Sequence, residues 1–163
     1  FIDGKESGSV YSLIHPAKMY FIPEWTKQIH HISYNDVRDK PYFPEVWDNL
    51  IMPFIKENPD LSFVAHNACF DMNVIRKCCE YYGMEKPDIK YFDSLRVAQK
   101  TWTKFETHKL TYLAEQFGIV YDAHNALDDS LTCGKIVSLA AEKLGTDNIS
   151  NLLKKCNLRM SKL

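Results

Sequence analysis

The chain has 163 residues, 45% of them hydrophobic and 25% charged, with a net charge of −1 and a pI near 6.6. That is enough sequence for one domain with a sizeable core. Near-neutrality excludes a broad cationic grip on nucleic acid and leaves local contacts, through metals or a small pocket. Five cysteines without a C-x-x-C pair argue against a disulfide frame or zinc site and for free thiols in a reducing, cytoplasmic compartment. No apolar run approaches a membrane span, so no membrane partner is expected.

In chain order, "FIDGKESGSVYSLIHP" reads as a strand end, an Asp3-Gly4 turn and a second strand through 10–14. An aromatic-rich loop follows, in which Tyr20, Phe21 and Trp25 are candidates for stacking on bases, although half-buried loop aromatics are commoner. In "ISYNDVRDKP", Ser33 is a helix N-cap with Asp36 three residues on, and Pro41 closes the helix. "PEVWDNLIMPFIKENP" sets apolar residues at helical spacing, with Pro53 as a kink point. "LSFVAH" is a short buried strand, followed by a helix over 70–82 that Gly83 stops. "IKYFDS" is another strand, leading into a helix from Leu95. Thr107 is the expected cap of "HKLTYLAEQFG", which Gly118 ends, and the last long helix runs over 125–144. Alternating strands and helices predict an α/β layered fold with a hairpin at one side. Residues 1–144 form the domain, and 145–163 read as a short capped helix and a basic tail.

The tetrapeptide Ala-His-Asn-Ala occurs twice, in "AHNACFD" at 65–71 and "AHNALDD" at 123–129. Each His is followed, five positions on, by a carboxylate: His66 by Asp71 and His124 by Asp129. At about 100° per residue, Phe70, Val74, Ile75, Cys78 and Tyr81 share an apolar arc with Asp71 in its middle. An inward carboxylate is costly unless paired, hydrogen-bonded or metal-bound. A favourable helix dipole accounts for an acid in the first turn but not for its placement on the inward face. In the last helix Asp129 falls at the edge of the packed arc, while Asp128 turns to solvent near Thr132 and Lys135. His124 belongs on the turn before that helix. Taken singly, His66 reads as a packing or hydrogen-bonding residue and His124 as a loop or capping histidine. The identical spacing reads as coincidence, not as a structural repeat.

"FVAHNACFDMNVIR" and "HNALDDS" strongly resemble the DnaQ-like 3′→5′ exonucleases of the DEDDh class, which includes proofreading subunits of bacterial replicative polymerases such as the epsilon subunit of DNA polymerase III. "YSLIHP" and "QIHHISYNDVRDKPYFPEVW" resemble the family's strand, its I-H-G-I segment and first helix, with His31 in place of the usual Gly. "YFDSLRVAQKTW" and "HKLTYLAEQFGI" follow in the family's order, so the resemblance covers about 1–144. It implies a ribonuclease H-like α/β fold, a central mixed sheet flanked by helices. It implies 3′→5′ hydrolysis of nucleic-acid strands with two divalent cations, Mg²⁺ or Mn²⁺, which favour carboxylate oxygens. By the same resemblance Asp71 and Asp129 are metal-binding and catalytic, and His124 is the general base. Ile29, His30 and Phe70 line the pocket for the 3′-terminal nucleotide, and His66 and Asn67 hold the strand end and pocket wall. The implied partners are a single-stranded 3′ end and a DNA polymerase or further domain.

One departure stands out. The family's first motif, D-x-E on the first and central strand, supplies two of the four metal-binding carboxylates and belongs N-terminal to "FIDGKE". Asp3 and Glu6 do not substitute, because their spacing is D-x-x-E across a turn. The expectation is a catalytic strand upstream in the parent protein, with these residues alone inactive or nearly so. The alternatives are a non-catalytic exonuclease-like module that binds nucleic acid or protein, and an RNA-trimming RNase of the same family.

Overall fold

The computed structural model describes residues 1–17 and 24–163, so Tyr20 and Phe21, two of the candidate stacking aromatics, lie outside the described residues. In chain order the elements are α1 (Glu24–His30), α2 (Tyr34–Val37), α3 (Phe43–Val46), a π-helical turn (Trp47–Ile51), α4 (Met52–Glu57), β1 (Phe63–Ala65), α5 (Ala68–Tyr82), β2 (Lys90–Asp93), α6 (Ser94–Thr101), α7 (Leu110–Gln116), α8 (Ala126–Lys143), α9 (Ile149–Lys155) and β3 (Ser161–Lys162). The chain divides into two compact units. The first comprises Phe1–Ser9, Ser62–Arg76 and Lys86–Leu163; the second comprises Val10–Leu61 and Lys77–Glu85.

In the first unit, β1 pairs parallel with β2, Phe63 opposite Tyr91 and Ala65 opposite Asp93. β3 pairs antiparallel on the other side of β2, Lys90 opposite Lys162. Among the described residues this mixed sheet has the order β1-β2-β3. α8 packs against β1, α6, α7 and α9. Burial on so many sides explains why Thr132, Cys133, Gly134 and Ile136 are all buried. Thr132, expected on the solvated side, is therefore an inward residue. Phe92, Val97, Leu113, Ile136 and Leu152 belong to one apolar cluster, joined by Leu153 and Cys156.

The short capped helix expected after residue 145 thus forms and contributes to that core, and the stretch beyond it, read as a basic tail, ends in an edge strand. Asn148 caps α9 by accepting the Asn151 N–H at 2.9 Å. A two-residue strand is too short to show any periodicity, so sequence could not announce β3.

Asp3 and Gly4 both have positive φ, 50° and 75°, and Ile2 and Lys5 exchange backbone hydrogen bonds of 2.9 and 3.0 Å across them. This is the expected two-residue turn. The Phe1 ring occupies the space over Gly134 where a Cβ would come within 2.3 Å of it. Ser138 Oγ donates to the Gly4 carbonyl at 3.0 Å. The second strand expected at 10–14 does not form: those residues have no ladder partner among the described residues. Extended backbone becomes a strand only where a neighbour takes its N–H and C=O groups.

α7 starts at Leu110 with Lys109 as N-cap, so Thr107 is not the cap. The His108 carbonyl is instead engaged by the His66 ring at 2.8 Å, and the His108 ring by the Trp102 carbonyl at 3.0 Å. Those bonds hold 107–109 out of the helix.

In the second unit, Ser33 and Asp36 form the expected cap: the carboxylate accepts the Ser33 N–H at 2.7 Å and its hydroxyl at 2.6 Å. These bonds hold the Asp36 carboxyl below its usual range. Proline lacks an N–H and clashes with the carbonyl four residues back. The helix meets Pro53 with the π turn Trp47–Ile51, where the Met52 N–H reaches back to Trp47. His31, which replaces the family's usual Gly, has φ 57°. His15, Tyr42, Phe43, Trp47 and Tyr82 form a chain of ring contacts.

α5 corrects the periodicity reading. Its buried side chains are Ala68, Met72 and Cys79, whereas Phe70, Val74 and Tyr81 are exposed. Both sets recur at helical spacing, so apolar pattern alone could not choose the face.

Candidate active site

Both copies of Ala-His-Asn-Ala form a turn that opens a helix on their second alanine. β1 ends at Ala65, His66 and Asn67 turn, and α5 begins at Ala68. Ala123 and His124 turn, Asn125 is the N-cap, and α8 begins at Ala126. Asp71 and Asp129 are consequently each the fourth residue of their helices, near the positive end of the dipole. The shared spacing has a common local cause, contrary to its reading as coincidence. The copies differ in which residue is left-handed: Asn67 in the first and His124 in the second, both with φ 72°.

Hydrogen bonds set each turn. Asp93 Oδ1 accepts the Asn67 N–H at 3.0 Å and the Leu95 N–H at 2.9 Å, tying the end of β1 to the start of α6. Asn125 Oδ1 accepts the Leu127 N–H at 3.1 Å. Asp128 accepts the Asp122 N–H at 2.8 Å. It is half-buried and closes the loop before α8, so it is not the solvated bystander expected from the helical wheel.

The acids lie within electrostatic range of one another. Burial raises the Asp71 carboxyl above its ordinary value, and the charges of Asp93 and Asp129 raise it further. Asp71 is exposed as a residue, so it is the carboxyl end that loses water. Burial also raises Asp129, opposed by the His124 backbone amide and by the charge of His124 nearby. The Tyr121 hydroxyl is buried without a hydrogen-bond partner among the described residues, and its pKa is raised by burial and by the charge of Asp129.

His66 sits behind these acids with both ring nitrogens engaged. Nε2 is 2.8 Å from the His108 carbonyl, which can only accept, so Nε2 carries the proton. Nδ1, 2.9 Å from Ser94 Oγ, then accepts the hydroxyl. Burial lowers the His66 pKa and favours this neutral form. Cys133 donates its thiol to Ser94 Oγ at 3.1 Å, and burial pushes that thiol up to about 11. The chain Cys133–Ser94–His66–His108 therefore joins α8, α6, the end of β1 and the loop before α7.

Of the residues singled out in the sequence, His66, Asn67, Phe70, Asp71, His124 and Asp129 all belong to the first unit. Phe70 is 69% exposed beside Asp71. Ile29 and His30 lie on α1 in the second unit, Ile29 exposed and His30 Nδ1 accepting the Ile32 N–H at 3.0 Å. Sequence reasoning missed Asp93, Ser94, Tyr121 and Cys133. Only Asp93 had a signal, an N-cap acid between a strand and a helix.

A family model described as exonuclease, of the RNase T type, matches residues 2–137. The chain belongs to this exonuclease family. "3'-5' exonuclease DinG" of Staphylococcus aureus strain MRSA252 is 33% identical over 123 residues, which are 75% of this chain and 13% of that protein. The same protein of strain USA300 gives the same figures. The chain thus spans about an eighth of the length of these curated relatives, 13%. Among solved structures, Exonuclease X in complex with 5′ overhanging duplex DNA has a TM-score of 0.71 at 19% identity, covering 95% of this chain and 85% of its own. The nuclease domain of 3′hExo, a DEDDh family member bound to rAMP, has a TM-score of 0.70 at 18% identity, covering 92% and 74%. The fold is therefore the ribonuclease H-like exonuclease fold, with its mixed sheet flanked by helices, as the resemblance implied.

Members of such a fold imply a divalent cation. Among the described residues no group of three or more His, Cys, Asp and Glu side chains is placed to hold one. Mg²⁺ is commonly held by one or two carboxylates, with waters and substrate phosphates completing its shell. Asp71 and Asp129 suit that demand: both are oxygen donors, partly desolvated, and Asp71 is further raised by the charge of Asp129. Among the described residues the Tyr121 hydroxyl, within electrostatic range of Asp129, has no hydrogen-bond partner. The residues fit part of such a site.

Proposed function

We propose that the chain is the catalytic domain of a 3′→5′ exonuclease that releases nucleoside 5′-monophosphates from strand ends. The observation that carries this reading is that Asp71, in the first turn of α5, and Asp129, in the first turn of α8, lie within electrostatic range of each other, with His124 on the turn that opens α8. On this reading a water attacks the terminal phosphorus, the bond to the 3′-oxygen breaks, and that oxygen takes a proton from solvent. His124 accepts the proton of the attacking water. The Asp71 and Asp129 carboxylates would hold Mg²⁺ or Mn²⁺, which would supply activation of the water and charge stabilisation at the leaving oxygen. Asn67 and Phe70 wall the strand end. His66 acts indirectly, by holding the β1 end.

The 163 residues contain no Asp-x-Glu, so on this reading they supply two of the four carboxylates. The kinship with DinG proteins favours an exonuclease module within a longer chain. An epsilon-like proofreading role beside a polymerase would use the same chemistry. The test is Mn²⁺-dependent release of 5′-mononucleotides from 3′-ended DNA and RNA by the protein expressed from its complete reading frame. Release that stops in Asp71→Asn and Asp129→Asn supports the reading. Undiminished release in both variants, or none from the parent protein, sinks it.

A further inference from the structure

Beside the turn that positions Asp71, the first unit carries an open cleft of about 230 Å³ that the chemistry above does not use. Ala68 and Cys69 of α5, the strand β2, and the segment after α9 wall it. Its floor is apolar, with Phe92, Leu153 and Leu158, and Arg96 and Arg159 stand at its exposed rim. Neither arginine makes an ion pair or hydrogen bond among the described residues. Asp93, the acid in the lining, already accepts two backbone N–H groups, at 3.0 and 2.9 Å. Its charge is thus partly compensated by protein dipoles. In the segment 148–163 that forms one wall, Lys162 pairs with Asp88 at 3.2 Å and Lys155 donates to the Leu144 and Gly145 carbonyls, and Arg159 is the cation that lines the cleft.

We propose that this cleft binds the phosphodiester backbone of a nucleic-acid strand, separately from the hydrolytic site. Two unpaired guanidinium groups at a concave rim match phosphate oxygens through bidentate hydrogen bonds. Tyr91, in the lining, presents an aromatic surface of the kind on which bases stack. The neutral overall charge had excluded a broad cationic grip, and this local pair supplies the contact the composition left open. Only the choice of a nucleic-acid strand, over another phosphate, rests on the proposed exonuclease reading. The cleft is lined by Asp93, which lies within electrostatic range of Asp71, but not by Asp71 or Asp129, so it stands next to the hydrolytic carboxylates and apart from them.

Binding is measured without hydrolysis, in EDTA, by fluorescence anisotropy of a labelled single-stranded oligonucleotide at several salt concentrations. Each phosphate contact contributes about 0.7 to the slope of log affinity against log salt for a single strand. Arg96→Gln and Arg159→Gln should each lower the slope by about that amount, and Arg→Lys at either position should restore most of it. Exposed Cys69 gives a second readout, because a strand in the cleft should slow its alkylation. Unchanged slopes in both Gln variants, with equal Cys69 protection by inorganic phosphate and by oligonucleotide, would make this a free-anion site and overturn the strand. No protection of Cys69 by either ligand would overturn the cleft altogether. The slopes at Arg96 and Arg159 need neither Asp71 nor Asp129 and so are independent of the hydrolytic reading. Because Asn67 and Phe70 flank Cys69, its protection supports the cleft where Arg96→Gln or Arg159→Gln removes it, and protection unchanged in both variants overturns the cleft.

Discussion

The imidazole Nδ1 of His66 lies 2.9 Å from the hydroxyl of Ser94, which also receives the Cys133 thiol at 3.1 Å. Burial lowers the His66 pKa from 6.5, so the unfolded chain takes up a proton at higher pH than the folded one. His66 therefore favours the fold fully above pH 6.5, and this contribution is lost as pH falls below that value. Urea unfolding at pH 7.5 and 5.5 should show stability falling with acid, and the fall should be smaller in His66→Gln. Ser94→Ala leaves both neighbours unpartnered and should cost about 1–3 kcal/mol at pH 7.5.

Asp71 and Asp129 have raised pKa values, with burial the first cause in each. A folded pKa above the unfolded 3.8 means the folded state holds protons more tightly. The sign is thus opposite to that of His66: stability falls as pH rises from 3.8 through the folded values. At neutral pH, Asp71→Asn and Asp129→Asn should raise the melting temperature of the metal-free protein while abolishing hydrolysis. Mn²⁺ should raise the melting temperature of the parent and not of the variants, because a ligand stabilises only the state that binds it. Calorimetry with and without EDTA reads both effects.

His124 has φ 72°, which Asn tolerates better than most side chains. His124→Asn should keep the fold and the Mn²⁺-induced thermal shift while lowering kcat about 10²–10⁴-fold. Equal loss of the thermal shift and of kcat would assign His124 to metal binding instead of proton transfer.

Leu152, on the short capped helix expected after residue 145, is fully buried with Ile136 and Leu113. Leu152→Ala should destabilise the fold by about 2–5 kcal/mol, whereas exposed Lys154→Ala should change it by less than about 0.5 kcal/mol. Denaturant titration separates the two.

Much of the site was legible because its signals are local. Asp3-Gly4, the Ser33–Asp36 cap and the stops at Gly83 and Gly118 rest on dihedral preferences and hydrogen bonds within a few residues. The two Ala-His-Asn-Ala turns are of the same kind, and a carboxylate fixed four residues into a helix is a consequence of short-range geometry. The α5 face was not legible, since two apolar stripes competed and only packing chose Ala68, Met72 and Cys79. Asp128 looked solvated on a helical wheel because its partner, the Asp122 N–H, lies in the loop outside the helix.

The amino-acid sequence by itself thus determined where helices start and stop, which carboxylates and histidine stand at their first turns, and which family they resemble. Tertiary structure alone decided which of those acids come within electrostatic range, that His66 is desolvated with its ring nitrogens on Ser94 and the His108 carbonyl, and that Leu152 and Cys156 join the core. Such contacts join residues as far apart as 94 and 133, or 90 and 162, and no periodicity along the chain encodes a distance across it.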